Sequence, residues 1–318
     1  MKELNVRQAA EFLGSADDFL IYTHTNPDAD TVGSAAALVT LLRRIGKKAV
    51  ACCADELPRR LSFITECGEG LFVPAPEVLP EGKTYISVDV AAAGQLGDTP
   101  VPLFDLSIDH HDVNRIECKR LLLKNDYIAA GEIIFELMDE FGMEPDKNIA
   151  CMLYAAISSD SGSFKYYGTS PKTHRTAARL LETGIDFAKI SRLLFENKTR
   201  IQTELEKAAY NRLEFCCGGR AAVVALDEEL MASVGAKESD VDCVNQIPRQ
   251  IEGVEVSAVL RPSGGGTKIS MRSNDYFNVA DFCASLGGGG HLHAAGFRLD
   301  MPVAAARDRL AELLEGRL

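Results

Sequence analysis

The sequence predicts an α/β protein in two parts: an N-terminal domain built on a parallel sheet, and a smaller mixed α/β domain reached through a helical connection. Three observations point there. Through the first half, short apolar runs alternate with helical patterns, as parallel strands joined by helical crossovers require. Around 186–210 the chain is charged and loses strand character. Beyond it, strand-like runs return with a glycine-rich turn between two of them.

Taken in order, 19–22 reads as a strand and 31–45 as a helix with apolar residues at helical spacing. Strands are expected at 48–53, 85–88 and 103–108, each short and apolar or rich in β-formers. Helices follow at 129–141, 148–159 and 171–183. The last has Ser170 as N-cap and Pro171 at its first position. The stretch 186–210 fits one or two helices. Strands are then expected at 220–225, 254–261 and 267–272, with a hairpin turn at Pro262-Ser263-Gly264-Gly265-Gly266. Helices at 278–285 and 303–315 complete the chain. The expected domains are 1–187, a helical linker at 188–212, and 213–318.

With 318 residues, 46% of them hydrophobic, the chain can bury a large core. No run of eighteen apolar residues occurs, so no membrane span is expected, and the N-terminus lacks the pattern of a secretion signal. The nine cysteines are odd in number, irregularly spaced and contain no C-x-x-C. That fits reduced thiols in a cytoplasmic protein, not a disulfide framework or zinc ribbon. The net charge of −12 argues against gripping long duplex DNA or RNA, which calls for a basic face. A small phosphorylated ligand held by a few local cations stays compatible with it.

Four segments bearing acids and histidines fall where strands or helices end. They are His24-Thr-Asn-Pro-Asp28-Ala-Asp30, Asp89, Asp109-His110-His111, and Asp160. Ligands of open α/β sheets bind beyond the carboxyl ends of the strands, so all four point at one crevice. Carboxylates and imidazoles without thiolates select Mn²⁺, Mg²⁺, Fe²⁺ or Zn²⁺. So many ligands suit two ions about 3.5–4 Å apart sharing a bridging carboxylate, and the histidines favour Mn²⁺ over Mg²⁺. Two divalent cations would also relieve the repulsion between clustered carboxylates. Of the adjacent His110 and His111, one is expected to ligate and the other to orient a ligand or move a proton.

The second half carries Arg272-Ser273-Asn274 and Gly287-Gly288-Gly289-Gly290-His291-Leu-His293. A glycine run lets backbone N–H groups approach phosphate oxygens. His291 adds an imidazole beside it and Arg272 a planar fork. Lys268 and Arg261 could add positive charge, though Arg261 reads first as an ordinary surface residue. His293 fits either a substrate contact or a solvent-facing residue, and His174 reads as exposed.

With these residues in place, the sequence resembles the DHH phosphoesterase family. Asp109-His110-His111 is the signature triplet, and His24, Asp28 and Asp30 form the His-x-x-x-Asp-x-Asp motif. Asp89 stands in Ser-Val-Asp-Val and Asp160 in Ser-Ser-Asp-Ser-Gly-Ser-Phe. The segment from Gly288 to Gly296 matches the Gly-Gly-Gly-His-x-x-Ala-Ala-Gly pattern of the DHH-associated C-terminal domain. A short two-domain chain is similar to the nanoRNase and pAp phosphatase (NrnA-like) type.

The resemblance implies that His24, Asp28 and Asp89 hold one Mn²⁺, and that Asp30, Asp89, His110 and Asp160 hold the other. It leaves His111 for proton transfer, and Arg272, Ser273, Asn274 and His291, beside the Gly288–Gly290 backbone, for substrate phosphate. The implied activity is hydrolysis of dinucleotides and other short oligoribonucleotides to nucleoside monophosphates, or of the 3′-phosphate of pAp to give AMP. Alternatives are hydrolysis of linear pApA from cyclic-di-AMP turnover and a non-catalytic nucleotide sensor. No membrane partner is expected, and a homodimer stays open.

Overall fold

In the computed structural model, which describes the backbone of residues 1–318 and every side chain except those of Ser239 and His291, the chain divides into Met1–Asn197 and Lys198–Leu318. The first unit runs β1 (Lys2–Glu3), α1 (Val6–Ser15), β2 (Phe19–Tyr22), α2 (Ala29–Arg44), β3 (Ala49–Cys53), α3 (Ser62–Thr65), β4 (Phe72–Pro74), β5 (Thr84–Val88), β6 (Leu106–Asp109), β7 (Arg120–Leu123), α4 (Ala130–Glu140), α5 (Lys147–Asp160), α6 (Pro171–Glu182) and α7 (Phe187–Ser191). Its seven strands form one parallel sheet in the order β1-β7-β6-β5-β2-β3-β4.

Alternation along the strands sorts the two faces. Phe19, Ile21, Ile86 and Val88 join a core with residues of α1, α2, α4 and α5. Leu20, Tyr22 and Cys52 face the other way, against Val90, Leu96, Phe104, Ile116 and Cys118. Helices therefore cover one face, while loops and the 3₁₀ turn Ala93–Leu96 cover the other. α2 lies deep in the helical layer, and it packs on α5 through Gly33: a Cβ there would stand 2.4 Å from the Met152 carbonyl oxygen. Ser170 caps α6, with Pro171 opening the helix.

The second unit runs α8 (Arg200–Asn211), β8 (Leu213–Cys216), β9 (Ala221–Ala225), α9 (Glu228–Val234), β10 (Val256–Ser263), β11 (Gly266–Ser273), α10 (Val279–Ala284), β12 (Gly289–His291), β13 (Ala294–Leu299) and α11 (Val303–Leu314). The sheet order is β12-β13-β11-β10-β9-β8. β9 and β10 are parallel and the other pairs antiparallel. One face packs on α10 and α11. The other packs on α8 and on the 3₁₀ turns Glu238–Gln246 and Pro248–Gln250.

The segment 188–212 is shared between the units. Ile190 lies in the first core, whereas Leu205 and Ala209 of α8 lie in a second-unit core. Arg261 is not a surface residue: it is 6% exposed, with Nε 3.3 Å from Glu238 Oε1 and Nη1 3.1 Å from Ser270 Oγ. His174 is exposed and stacks on Phe164, ring centroids 5.4 Å apart.

The buried carboxylate of Glu255 accepts N–H groups from Asp275 (3.1 Å), Tyr276 (2.9 Å) and Phe277 (2.7 Å). Glu255→Gln removes the charge and turns one acceptor into a donor. The expected loss is about 1.5–3 kcal/mol of stability in this unit, measured by denaturant unfolding; an unchanged midpoint would show that the loop is held by other contacts.

Candidate functional site

β2 and β5 are neighbours in the sheet, yet the chain leaves β2 for β3 and β4 before returning at β5. Connections that part in opposite directions open a crevice beyond the carboxyl ends of such strands. His24 follows β2, Asp89 follows β5, and His110 and His111 follow β6. Asp28 is the N-cap of α2, Asp30 lies in its first turn, and Asp160 is the last residue of α5.

Each side chain is held from behind. Asp28 Oδ1 accepts the N–H groups of Asp30 and Thr31, both at 3.0 Å. The fully buried Asp30 accepts from Ala130 N at 2.7 Å, Gly131 N at 3.0 Å and Ser34 Oγ at 2.7 Å. His24 Nδ1 lies 2.7 Å from the Thr25 carbonyl and His110 Nδ1 3.3 Å from that of Tyr127. A carbonyl accepts only, so both rings donate from Nδ1 and turn Nε2 inward, the arrangement metal-ligating histidines adopt. Asp89 takes a left-handed backbone, φ 59°, which Asp tolerates better than most residues.

At the centre, Asp89 Oδ2 is 3.5 Å from His24 Nε2, and Asp89 Oδ1 is 3.4 Å from His110 Nε2. His24 Nε2 also lies 3.7 Å from Asp28 Oδ1. His110 Nε2 lies 3.5 Å from Asp160 Oδ2 and 3.7 Å from Asp30 Oδ2. Candidate ligand atoms within 4.8 Å of one another fall into the sets His24–Asp28–Asp89, Asp30–His110–Asp160 and Asp89–His110–His111. All six expected ligands are thus brought together, with Asp89 between His24 and His110.

The buried Asp89 Oδ1 and His110 Nε2 have no hydrogen-bond partner among the described residues. Unpartnered buried polar atoms are costly, and a cation between them would satisfy both. Four carboxylates, two inward imidazole nitrogens and no thiolate fit a hard or borderline divalent ion.

The electrostatics agree. Burial and the charge of Asp89 push Asp30 up to about 7. Burial, with Asp30 and Asp28 nearby, holds Asp160 well above the usual carboxylate range. Burial works against charge on His24, but the neighbouring carboxylates of Asp28 and Asp89 outweigh it and raise the ring to about 12. A divalent cation held here would displace protons from these groups. Mn²⁺ binding is therefore expected to release protons and to tighten as pH rises from 6 to 8. Calorimetry in buffers of different ionisation enthalpy measures this; buffer-independent heats would contradict it.

His111 differs from its neighbour. Its Nδ1 lies 2.7 Å from Asp109 Oδ1, to which it donates. Burial opposes its charge, and Asp109 outweighs that and raises its pKa. Asp109 is itself fixed: its Oδ1 accepts from His110 N at 2.8 Å and its Oδ2 from Asn114 Nδ2 at 2.7 Å. Sequence reading gave Asp109 no role of its own and passed over Asn114. The signature triplet marked the former, but a lone Asn in a loop marks nothing.

In the second unit, Arg272 is half-buried and its Nη1 donates to the Met271 carbonyl at 2.9 Å. Ser273 is buried, with Oγ 2.9 Å from His293 Nδ1, so His293 packs against an expected substrate residue. The Asn274 amide is engaged internally: Nδ2 donates to the carbonyls of Arg249 (3.1 Å) and Val254 (2.7 Å), and Oδ1 accepts from Arg249 Nε (3.1 Å). The glycine run is not a loose loop, since Gly289–His291 pairs with β13 as an edge strand. A Cβ on Gly288 would stand 2.1 Å from the Gly296 carbonyl oxygen and one on Gly290 2.4 Å from that of Ala294, while Gly289 has open space. The His291 side chain lies outside the described residues.

Residues 18–157 match the N-terminal domain of the DHH family, and 228–318 match the DHHA1 domain. The chain is 32% identical to the bifunctional oligoribonuclease and PAP phosphatase NrnA of Thermus thermophilus, across 98% of this chain and 94% of that one. It is 27% identical to a manganese-dependent inorganic pyrophosphatase of Methanothrix thermoacetophila, across 71% and 75%. An exopolyphosphatase-related protein from Bacteroides fragilis shares the fold, with a TM-score of 0.87 at 22% identity over 98% of this chain and 95% of that one. The chain belongs to the DHH family of phosphoesterases, as an NrnA-like hydrolytic enzyme whose C-terminal part is a DHHA1 domain.

Proposed function

We propose that this enzyme is a Mn²⁺-dependent phosphoesterase that cleaves dinucleotides and other short oligoribonucleotides to nucleoside monophosphates and removes the 3′-phosphate of pAp to give AMP. The observation that carries the proposal is the cluster of six acid and histidine ligands around the unpartnered Asp89 Oδ1 and His110 Nε2. The substrate class is supported by the Thermus thermophilus relative, whose name covers both reactions, and manganese by the pyrophosphatase relative.

His24, Asp28 and Asp89 would hold one ion, and Asp30, Asp89, His110 and Asp160 the other. When bound, such a pair supplies an acidified water as nucleophile and neutralises charge on the phosphoryl oxygens. The chain's own residues do the rest. Asp109, held by Asn114, keeps the proton of His111 on Nδ1 and stabilises the ring in its charged form. His111 Nε2–H is then the group that protonates the departing ribose oxygen. In the second domain, Arg272, Ser273 and the backbone of Gly289, the one glycine of Gly288–Gly290 whose Cβ position is open, hold the rest of the substrate, with His291. Asn274 assists by fixing the loop that follows them. The thiol-rich composition supports a cytoplasmic setting.

Turnover of pAp, a diribonucleotide, pApA and a five-residue oligoribonucleotide under Mn²⁺ tests the reading. Activity on pAp and the dinucleotide well above that on the pentamer is expected. Preference for the pentamer, or no turnover of any nucleotide, would contradict it.

A further inference from the structure

The second unit holds a cavity of about 490 Å³ at the end of its sheet where β11 finishes and β9 and β10 begin. In register, Ser273 of β11 pairs with Val256 of β10, and Val256 with Ala221 of β9. The residues one step beyond that row, Asn274, Glu255 and Arg220, line the cavity together with Arg249 and Tyr276.

Two loops build it, and they are locked together. Glu255 collects the N–H groups of 275–277, while Asn274 and Arg249 bond each other and Asn274 also bonds the Val254 carbonyl. These bonds fix the walls of the cavity, which is open to solvent on one side.

Its chemistry is mixed. Arg220 and Arg249 bring guanidinium groups suited to phosphate. Tyr276, 66% exposed, offers a ring on which a nucleobase can stack. Glu252 and Asp275 also line the cavity. Their carboxylates disfavour a bare polyanion but accept hydrogen bonds from sugar hydroxyls. A nucleotide satisfies all three kinds of group, whereas inorganic phosphate satisfies one. The cavity also continues the strand that carries Arg272 and Ser273.

We infer that this cavity receives a nucleoside monophosphate portion of the substrate, with its base on Tyr276 and its phosphate toward Arg220 and Arg249. The inference rests on the nucleotide reading above and makes the domain a reader of nucleosides as well as of phosphate.

The test is steady-state hydrolysis by the full-length chain with Mn²⁺ of the diribonucleotide ApA and of bis(p-nitrophenyl) phosphate, which offers no nucleoside. Wild type is compared with Tyr276→Ala and Arg220→Glu, both at exposed positions. KM for ApA should rise about tenfold in each variant, with kcat/KM on bis(p-nitrophenyl) phosphate within about twofold of wild type. An unchanged KM for ApA, or equal losses on both substrates, overturns the inference. Failure of the wild type itself to cleave ApA overturns the nucleotide reading, and the inference with it.

Discussion

Asp89→Asn is expected to lower kcat on any phosphate ester on the order of a thousandfold or more, with the fold intact. Asp89 is the carboxylate that both inward histidines share, at 3.5 and 3.4 Å. Asn keeps its size and tolerates the left-handed backbone at this position. What it loses is the negative charge between the two sets of ligands, and one of the two acceptor oxygens. The measurement is turnover across a Mn²⁺ titration, with circular dichroism as the fold control. Near-wild-type turnover would show that Asp89 does not bridge the two sets of ligands.

Gly33→Val is expected to destabilise the first domain by about 3 kcal/mol, at the upper end for overpacking, and to weaken Mn²⁺ binding as well. Gly33 lies one turn beyond Asp30 in α2, and its absent Cβ would stand 2.4 Å from a backbone oxygen of α5 and 3.2 Å from the Ala156 Cβ. Backbone cannot swing aside as a side chain can, so the helices must separate. Asp30 lies in the first turn of α2 and Asp160 ends α5, so the separation spreads the ligands around His110. Thermal unfolding with and without Mn²⁺ reads both effects. A melting temperature unchanged in chelator would show that the two helices part without cost.

The features legible in the sequence were those written in local patterns. The 19–22 strand, the loop bearing His24 and Asp28 and the helix after it follow from an apolar run, a polar break and helical periodicity. Asp89 and His110 were legible because each directly follows a short apolar strand. What escaped was set by tertiary pairing. β13 is Ala-Ala-Gly-Phe-Arg-Leu, a run with little strand propensity, made a strand by its partners β11 and β12. The glycine run invited a phosphate-binding reading, because glycine permits close approach without saying of what. At Gly288 and Gly290 the approaching group is the β13 backbone. The resemblance implies a substrate role for Asn274; that its amide also joins two loops depends on partners 20 and 25 positions away. Charge and the loss of strand character mark 188–212 as a helical connection but do not say which core each part joins. Leu205 and Ala209 decide that only once the second sheet exists.

The proposed two-ion centre is tested most directly by the anomalous difference map of a crystal grown with Mn²⁺. Two peaks per chain are expected, one among His24, Asp28 and Asp89 and the other among Asp30, Asp89, His110 and Asp160, about 3.5–4 Å apart. A single peak, or a pair that leaves Asp89 out of either site, would contradict it.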